Sequence, residues 1–514
     1  MYVLTAEQMK QADRHTIDQI GIPAMCLMEN AGRALADEII AFSERLEGEG
    51  RKLKRRWIVL AGKGNNGGDG LVAARHLRLA GMRADILFAF PEGELAGEAA
   101  LQRDIAARCG LSLSAASETD IRWDRYDGIV DALLGTGSTG APRGTVADLI
   151  RTANDSGLPI VAADLPSGLD ADTGAVHDPC IRAEATVAFA YLKQGLVLHP
   201  GADYAGRVVV RPIGIPEEAL EGLTPIARLI TPETLEGVLG VDVTRKRRED
   251  THKGTYGHAL IAAGTQRMSG AGLLATRAAL RTGCGLATWA MPSSLVRHLL
   301  GRLPEAMLAG VPDAGDGDWT HVSAETLLKL AEGKSAFAMG PGLGRYADDS
   351  QWLRAIWEGV RCPLVLDADA LGMLADASDF ADWRRRDEPT ILTPHPGEMG
   401  RLLGIPTADV QADRIGVARE YAARHGVTLV LKGSRTVVAS PDGDVYLNPT
   451  GNPGMSTGGT GDALTGVITS LLAQGLSSLQ AACFGVWLHG KAGDDARASR
   501  GTETLLAGDL IECL

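Results

Sequence analysis

The chain has 514 residues, 45% of them hydrophobic and 22% charged, the balance of a globular protein with roughly two to four domains. A formal charge of −13 argues against nucleic acid as the main partner, and seven scattered cysteines without a CxxC argue against a disulfide or zinc framework. No basic, apolar leader opens the sequence and no window approaches the roughly 20 apolar residues of a membrane span, so a cytoplasmic location is expected.

Residues 1–50 read as helical. Arg56–Ala61 is a short apolar run of the kind that forms a buried strand, and it leads into Gly62-Lys63-Gly64-Asn65-Asn66-Gly67-Gly68-Asp69-Gly70 and a helix over Leu71–Ala80. Strands follow at Arg83–Phe90, Asp127–Ala132, Pro159–Ala163, Ala185–Phe189 and Arg207–Val210, with helices near Gly97–Arg108 and Val146–Asn154. Such alternation predicts a parallel sheet wrapped by helices. The proline-bearing stretch Pro212–Thr231 is the expected domain boundary. A charged stretch, Thr244-Arg245-Lys246-Arg247-Arg248-Glu249-Asp250, reads as an exposed arm without chemistry of its own and precedes a second strand–helix series. Its strands are expected at His258–Ala263, Leu286–Ala290, Ala336–Met339, Pro363–Leu366, Thr390–Leu392, Thr428–Lys432 and Arg435–Ala439, with a helix at Ala271–Thr282.

Gly62-x-Gly64-x-x-Gly67 satisfies a dinucleotide fingerprint between strand and helix. The acidic residue that should end the next strand has only a poor candidate in Glu92, which disfavours an ordinary NAD dehydrogenase. The added Asn65-Asn66 and Asp69 suit a hard cation, or ribose and phosphate oxygens. Asp131, with its glycine-rich loop, and Asp164-Leu165-Pro166-Ser167-Gly168 stand at two other strand ends. Ligands of open α/β sheets bind there, so the three loops should converge. Singly, each Asp could equally be a turn residue.

In the second series, Leu464, Val467, Ile468, Leu471 and Leu472 form a helical stripe, so a helix starts near Gly461 and Gly458-Gly459-Thr460-Gly461 feeds its first turn. Glycine amides at a helix start bind anions. Asp462 beside them is either a base acting on a phosphate-accepting hydroxyl or a carboxylate favouring the helix dipole. His395, between two prolines, is a ligand contact or a loop histidine. Asp367 and Asp369 approach metal or substrate, or are turn residues. The absence of GxxxxGK[ST] excludes an ordinary P-loop.

Taken in order, these motifs resemble a known family. Residues 1 to about 220 resemble the NAD(P)H-hydrate epimerase domain. The remainder, with Lys253-Gly254, Gly340-Pro341-Gly342-Leu343-Gly344, Asp367-Ala368-Asp369, Thr393-Pro394-His395-Pro396-Gly397-Glu398, Lys432-Gly433 and Gly459–Asp462, resembles the ribokinase-like NAD(P)H-hydrate dehydratase. The resemblance implies an α/β protein of two domains, 1-222 Rossmann-like α/β/α and 226-514 ribokinase-like α/β/α, that repairs hydrated NADH and NADPH. The first would interconvert R and S epimers. The second would phosphorylate the S form at the expense of ADP with Mg²⁺, then eliminate phosphate, leaving AMP.

By the same resemblance the epimerase ligand lies on Asn65, Asn66, Gly67, Gly68, Asp69, Gly135, Thr136, Gly137, Ser138, Thr139, Gly140, Ala141 and Asp164, and K⁺ on Asn66, Asp131 and Ser167. Asp164 and Asp462 are the expected catalytic groups. Ala271, Gly342, His395 and Asp462 would touch the dehydratase substrate. The nucleotide would lie on Lys432, Gly433, Ser434, Arg435 and Thr436, and on Asn452, Pro453, Gly454, Met455, Ser456, Thr457, Gly458, Gly459, Thr460 and Gly461. Thr460, where many relatives carry Ser, keeps the hydroxyl. Expected partners are the hydrated cofactors, ADP and further copies of the chain, with neither nucleic acid nor membrane. The competing reading is a ribokinase-fold kinase of a vitamin precursor with a regulatory first domain. A third makes that first domain a non-catalytic nucleotide-sensing or partner-binding module.

Overall fold

The strand Arg56–Ala61 turns Trp57, Val59 and Ala61 to one apolar layer and Ile58 and Leu60 to another, because successive side chains alternate across a sheet. A strand buried on both faces needs helices on both sides, which is the three-layer α/β/α arrangement observed. The structure, a computed structural model, describes residues 1–91, 94–118 and 120–514; Glu92 lies outside these. The chain divides into two compact units, Met1–Ile226 and Ala227–Leu514.

In the first unit the strands are β1 (Tyr2–Leu4), β2 (Arg56–Ala61), β3 (Arg83–Phe88), β4 (Ser112–Ala115), β5 (Gly128–Ala132), β6 (Ile160–Ala163), β7 (Ala185–Phe189), β8 (Leu192–Lys193) and β9 (Arg207–Arg211). The main sheet runs β4-β3-β2-β5-β6-β7-β9, every neighbour parallel, while β1 pairs with β8. Chain order reverses between β2 and β5, which opens a crevice at their carboxyl ends. The helix expected from Leu71 starts six residues earlier and covers Asn65–Leu79. Its Gly-Gly pair reads as a loop in sequence, but a Cβ at Gly67 would lie 2.0 Å from the Gly62 carbonyl oxygen, and one at Gly62 1.8 Å from that of Leu133. Close packing against the crevice, not chain reversal, is what those glycines serve. Residues 1–50 hold β1 as well as the helices Ala6–His15 and Ala24–Gly48.

In the second unit the strands are β10 (Ala227–Leu229), β11 (His258–Ala262), β12 (Leu286–Pro292), β13 (Met307–Val311), β14 (Ala336–Met339), β15 (Leu364–Leu366), β16 (Thr390–Leu392), β17 (Thr428–Leu431), β18 (Val437–Ala439) and β19 (Val445–Leu447). Their order is β13-β12-β11-β14-β15-β16-β17-β18-β19-β10, parallel as far as β17 and antiparallel through β18 and β19. The reversal here falls between β11 and β14. The helix Thr460–Ala473 packs on Ser269–Thr282 and Ser478–Arg500. The expected one-sided stripe is corrected: every residue from Ala463 to Ala473 is buried. Its polar members are satisfied inside, Thr469 Oγ1 donating to the Thr465 carbonyl at 2.6 Å and Ser470 Oγ accepting from Cys284 N at 2.9 Å.

Candidate functional site

At the β2/β5 crevice Asp131 is fully buried, and its carboxylate accepts from Ser167 Oγ at 2.6 Å, Ser167 N at 2.8 Å and Leu133 N at 3.2 Å. Ser167 Oγ in turn accepts from Leu134 N at 2.9 Å, and Asn66 Nδ2 donates to the Leu134 carbonyl at 2.8 Å. The three loops therefore meet. Burial pushes the Asp131 carboxyl up to about 6 against the pull of these donors. Asn66 Oδ1 is buried without a hydrogen-bond partner among the described residues. An orphaned amide oxygen beside one carboxylate and a hydroxyl fits a weakly hydrated monovalent cation.

A cavity of about 790 Å³ opens on this crevice, walled by Asn65, Asn66, Asp69, Gly135–Ser138 and Asp164. Gly67 and Gly68, expected as ligand contacts, do not line it: they pack against Gly62 and Met28. Thr139, Gly140 and Ala141 also lie outside its described wall. Asp164 has a left-handed φ of 63° and accepts from Phe189 N at 3.0 Å. It also pairs with Lys193, which is 1% exposed and holds the Phe189 carbonyl at 2.8 Å. Asp13, on the helix Ala6–His15, faces the same cavity. Burial raises its carboxyl to about 6, Lys193 opposing and Asp164 assisting. Asp69 is driven well above the carboxylate range, by burial first and then by Asp164 and Asp13. Sequence reading misses Lys193 and Asp13; neither sits in a glycine motif, and each enters the site only through the tertiary fold.

The second site gathers at the carboxyl ends of β14 to β17 and the start of Thr460–Ala473. Gly459 caps that helix at φ +93°, a left-handed backbone that favours glycine, and a Cβ there would sit 2.4 Å from the Leu274 Cδ1 methyl. The first-turn amides have no carbonyl partner within the helix, the arrangement that lets a helix start bind an anion. The Thr460 hydroxyl is not among those donors; it donates to the Met455 and Thr457 carbonyls at 3.0 Å and closes the loop. Lys432 Nζ lies 2.5 Å from Asp367 Oδ1 and 3.8 Å from Glu398 Oε2, and 3.7 Å from where a Cβ of Gly461 would be. Thr465 Oγ1 donates to the other Asp367 oxygen at 2.7 Å. Asp369 accepts from Gly344 N at 2.8 Å. Gly342 lies against Ala271, its added Cβ meeting the Ala271 Cβ at 3.2 Å. Asp462 stands in the first helical turn, and burial, then Asp367, pushes its carboxyl up to about 6, with Lys432 opposing. Burial works against the Lys432 ammonium, but Asp367 and Glu398 outweigh it and hold its pKa above the ordinary value.

His395 caps the helix Pro396–Leu403: Nδ1 accepts from Gly397 N at 3.0 Å and Glu398 N at 3.2 Å. Its proton therefore sits on Nε2, 3.5 Å from Glu398 Oε1, and half of the side chain remains exposed to a ligand. Asn452 spends its amide within the loop, Oδ1 accepting from Gly454 N at 3.0 Å and Nδ2 donating to Asp494 at 2.9 Å. Arg435 Nη1 donates to the Pro449 carbonyl at 2.8 Å and Thr436 Oγ1 to Gly433 at 2.9 Å, so Lys432–Thr436 and the Asn452 loop are neighbours, with Ser434 in the turn between β17 and β18. Two supports escape sequence reading: Asp494, and His489, whose Nε2 donates to the Thr460 carbonyl at 2.9 Å. Burial lowers His489 to about 4, so it is neutral. Both lie in one long helix, Ser478–Arg500, whose spacing shows nothing beyond core packing.

Two doubly wound units, one with a crevice that gathers Asn66, Asp131 and Ser167 and one with a glycine helix start beside the Asp367–Lys432 pair, define an α/β protein with a site in each unit. Residues 259–514 match the family profile described as NAD(P)H-hydrate dehydratase, and residues 24–195 that of the YjeF-related protein N-terminus. A bifunctional NAD(P)H-hydrate repair enzyme from Moorella thermoacetica is 42% identical over all of this chain and 96% of its own length. One from Escherichia coli is 36% identical over 99% of this chain and 92% of its own length. The chain belongs to the bifunctional NAD(P)H-hydrate repair enzyme family. Among solved structures, the ADP/ATP-dependent NAD(P)H-hydrate dehydratase of Bacillus subtilis, co-crystallised with ATP and Mg²⁺, is 36% identical. It covers 56% of this chain and 96% of its own, at a TM-score of 0.48.

Proposed function

We propose that the first unit interconverts the R and S epimers of hydrated NADH and NADPH, and that the second dehydrates the S epimer at the expense of ADP. These activities are assigned to residues 1-222 and 226-514. The observation that carries the reading is Asp462, a carboxyl held near neutrality in the first turn of a glycine-fed helix. Asp462 takes the proton of the substrate hydroxyl as its oxygen bonds to the β-phosphorus of ADP, and the bond from that phosphorus to AMP breaks. Phosphate then leaves the same carbon, and a proton leaves its neighbour, restoring the reduced ring. The amides at Gly459–Gly461 and the Lys432 ammonium stabilise charge on the moving phosphoryl group. Among the described residues no three His, Cys, Asp or Glu side chains form a metal-ligand group. Mg²⁺ would therefore ride on the nucleotide's phosphates, neutralising their charge.

In the first unit, Asn66, Asp131 and Ser167 would hold K⁺, which lends positive charge to the substrate's pyrophosphate. Asp164 is the proton-transfer group, aimed by Lys193 and Phe189 N. No helix is long and apolar enough to cross a membrane among the described residues. All seven cysteines are unpaired thiols, which supports a reducing, cytoplasmic setting. The assembly is a homo-oligomer in this reading. Separated epimers test the roles. Asp462→Asn should stop dehydration of S while R and S still exchange; Asp164→Asn should dehydrate S and stall on R. Retained dehydration in the first variant, or unchanged use of R in the second, removes the corresponding assignment.

A further inference from the structure

The arm Thr244–Arg248 lines a cavity of about 830 Å³ in the second unit, together with Tyr256, Thr282, Gly283 and Gln474. Its place in the fold separates it from the Asp462 loop. Tyr256 just precedes β11 and Gly283 just precedes β12, so the cavity lies at the amino ends of those strands. Gln474 and Gly475 follow the 14-residue helix whose other end carries Asp462, a separation of about 20 Å along its axis.

The wall is basic in an otherwise acidic chain. Arg245, Lys246, Arg247 and Arg248 form no ion pair with an Asp or Glu side chain among the described residues. Two of them are held in place by backbone oxygens. Arg245 donates to the Thr282 carbonyl at 3.4 Å and to a Leu514 oxygen at 3.0 Å. Arg247 donates to the Gly283 carbonyl and lies 3.9 Å over the Tyr256 ring. Backbone oxygens orient these guanidinium groups, and no Asp or Glu side chain among the described residues pairs with them. The one carboxylate among the described wall residues, Asp242, is occupied by Thr244 N at 2.9 Å and Thr244 Oγ1 at 2.6 Å. Burial, and then Arg247, lowers the Arg245 pKa, the direction expected where positive charges crowd without a counter-ion.

We propose that this cavity is a second anion site that takes a small oligophosphate-bearing molecule. Planar guanidinium forks match phosphate oxygens, and a cavity of this volume suits a single compact ligand. Nucleic acid fits poorly, since the formal charge of −13 repels an extended polyanion outside the cavity.

Inorganic tripolyphosphate is the probe, titrated calorimetrically into the full chain and followed in parallel by amide hydrogen exchange. Protection should appear at residues 244–256 and 474–476. Lys246→Ala/Arg248→Ala removes two exposed side chains for which no internal hydrogen bond is seen. It should weaken the binding that protects those segments by about tenfold or more. Charge reversal, Lys246→Glu/Arg248→Glu, should abolish it, with unchanged thermal stability in both variants. Protection confined to residues 452–462, no protection at all, or equal affinity in the double alanine variant would overturn the proposal.

Discussion

Asp462 is a buried carboxyl whose environment raises it to about 6, and the sign of that shift has consequences at two pH values. Its stabilising contribution is complete below the ordinary Asp value of 3.8 and is lost as pH rises through about 6, where the folded chain must hold a poorly solvated negative charge beside Asp367. Asp462→Asn should therefore raise Tm at about pH 8 and leave it unchanged at about pH 4, while dehydration falls by about 100-fold or more. The wild-type rate should decline as pH drops below about 6, when the base is protonated. An equal Tm change at both pH values would place the shift elsewhere. In the first unit, the cation reading predicts loss of epimerase activity when K⁺ is exchanged for tetramethylammonium, and no response in Asp131→Ala. Identical wild-type rates in both salts would leave Asp131 a turn residue. These residues are legible in sequence because each sits beside a contiguous glycine motif at a strand end or a helix start. Asp13, Lys193, His489 and Asp494 are not, since a side chain arriving from an ordinary helix or a two-residue strand leaves no local mark.

At the scale of elements, the helix Thr460–Ala473 transmits packing to chemistry. A Cβ at Gly466 would stand 2.0 Å from the Ala275 carbonyl oxygen on the neighbouring helix. Gly466→Ala must push the two helices apart, at a cost of about 1–3 kcal/mol. The displacement also moves the turn that carries Asp462, so we expect both a lower Tm and slower dehydration, with epimerisation unchanged. An unaltered Tm would show that the contact yields freely. Strand cores are readable from their apolar runs, β14 and β16 to the residue. Edge strands β4 and β13 are not, having partly exposed residues and no clean alternation. The early start of Asn65–Leu79 is hidden because glycine pairs predict loops, whereas here their lack of side chains permits close helix packing. The full burial of Thr460–Ala473 is hidden for a related reason: Thr465, Thr469 and Ser470 look solvent-facing until their internal partners are seen.

Over the whole molecule, two complete sheets with separate cores account for two activities on one chain. The order of motifs makes the pairing readable, while the basic cavity beneath the charged arm emerges only when distant segments meet. The most direct test of the account uses hydrated NADH as a mixture of both epimers, with ADP, Mg²⁺ and K⁺. Recovery of reduced-cofactor absorbance and release of AMP are followed together. The full chain should restore the entire pool, with one AMP formed per NADH recovered. The 226-514 fragment should stop when the S share is consumed and resume only at the slow spontaneous rate of epimer exchange. Recovery without AMP, or a fragment that consumes both epimers at equal rates, would contradict the account.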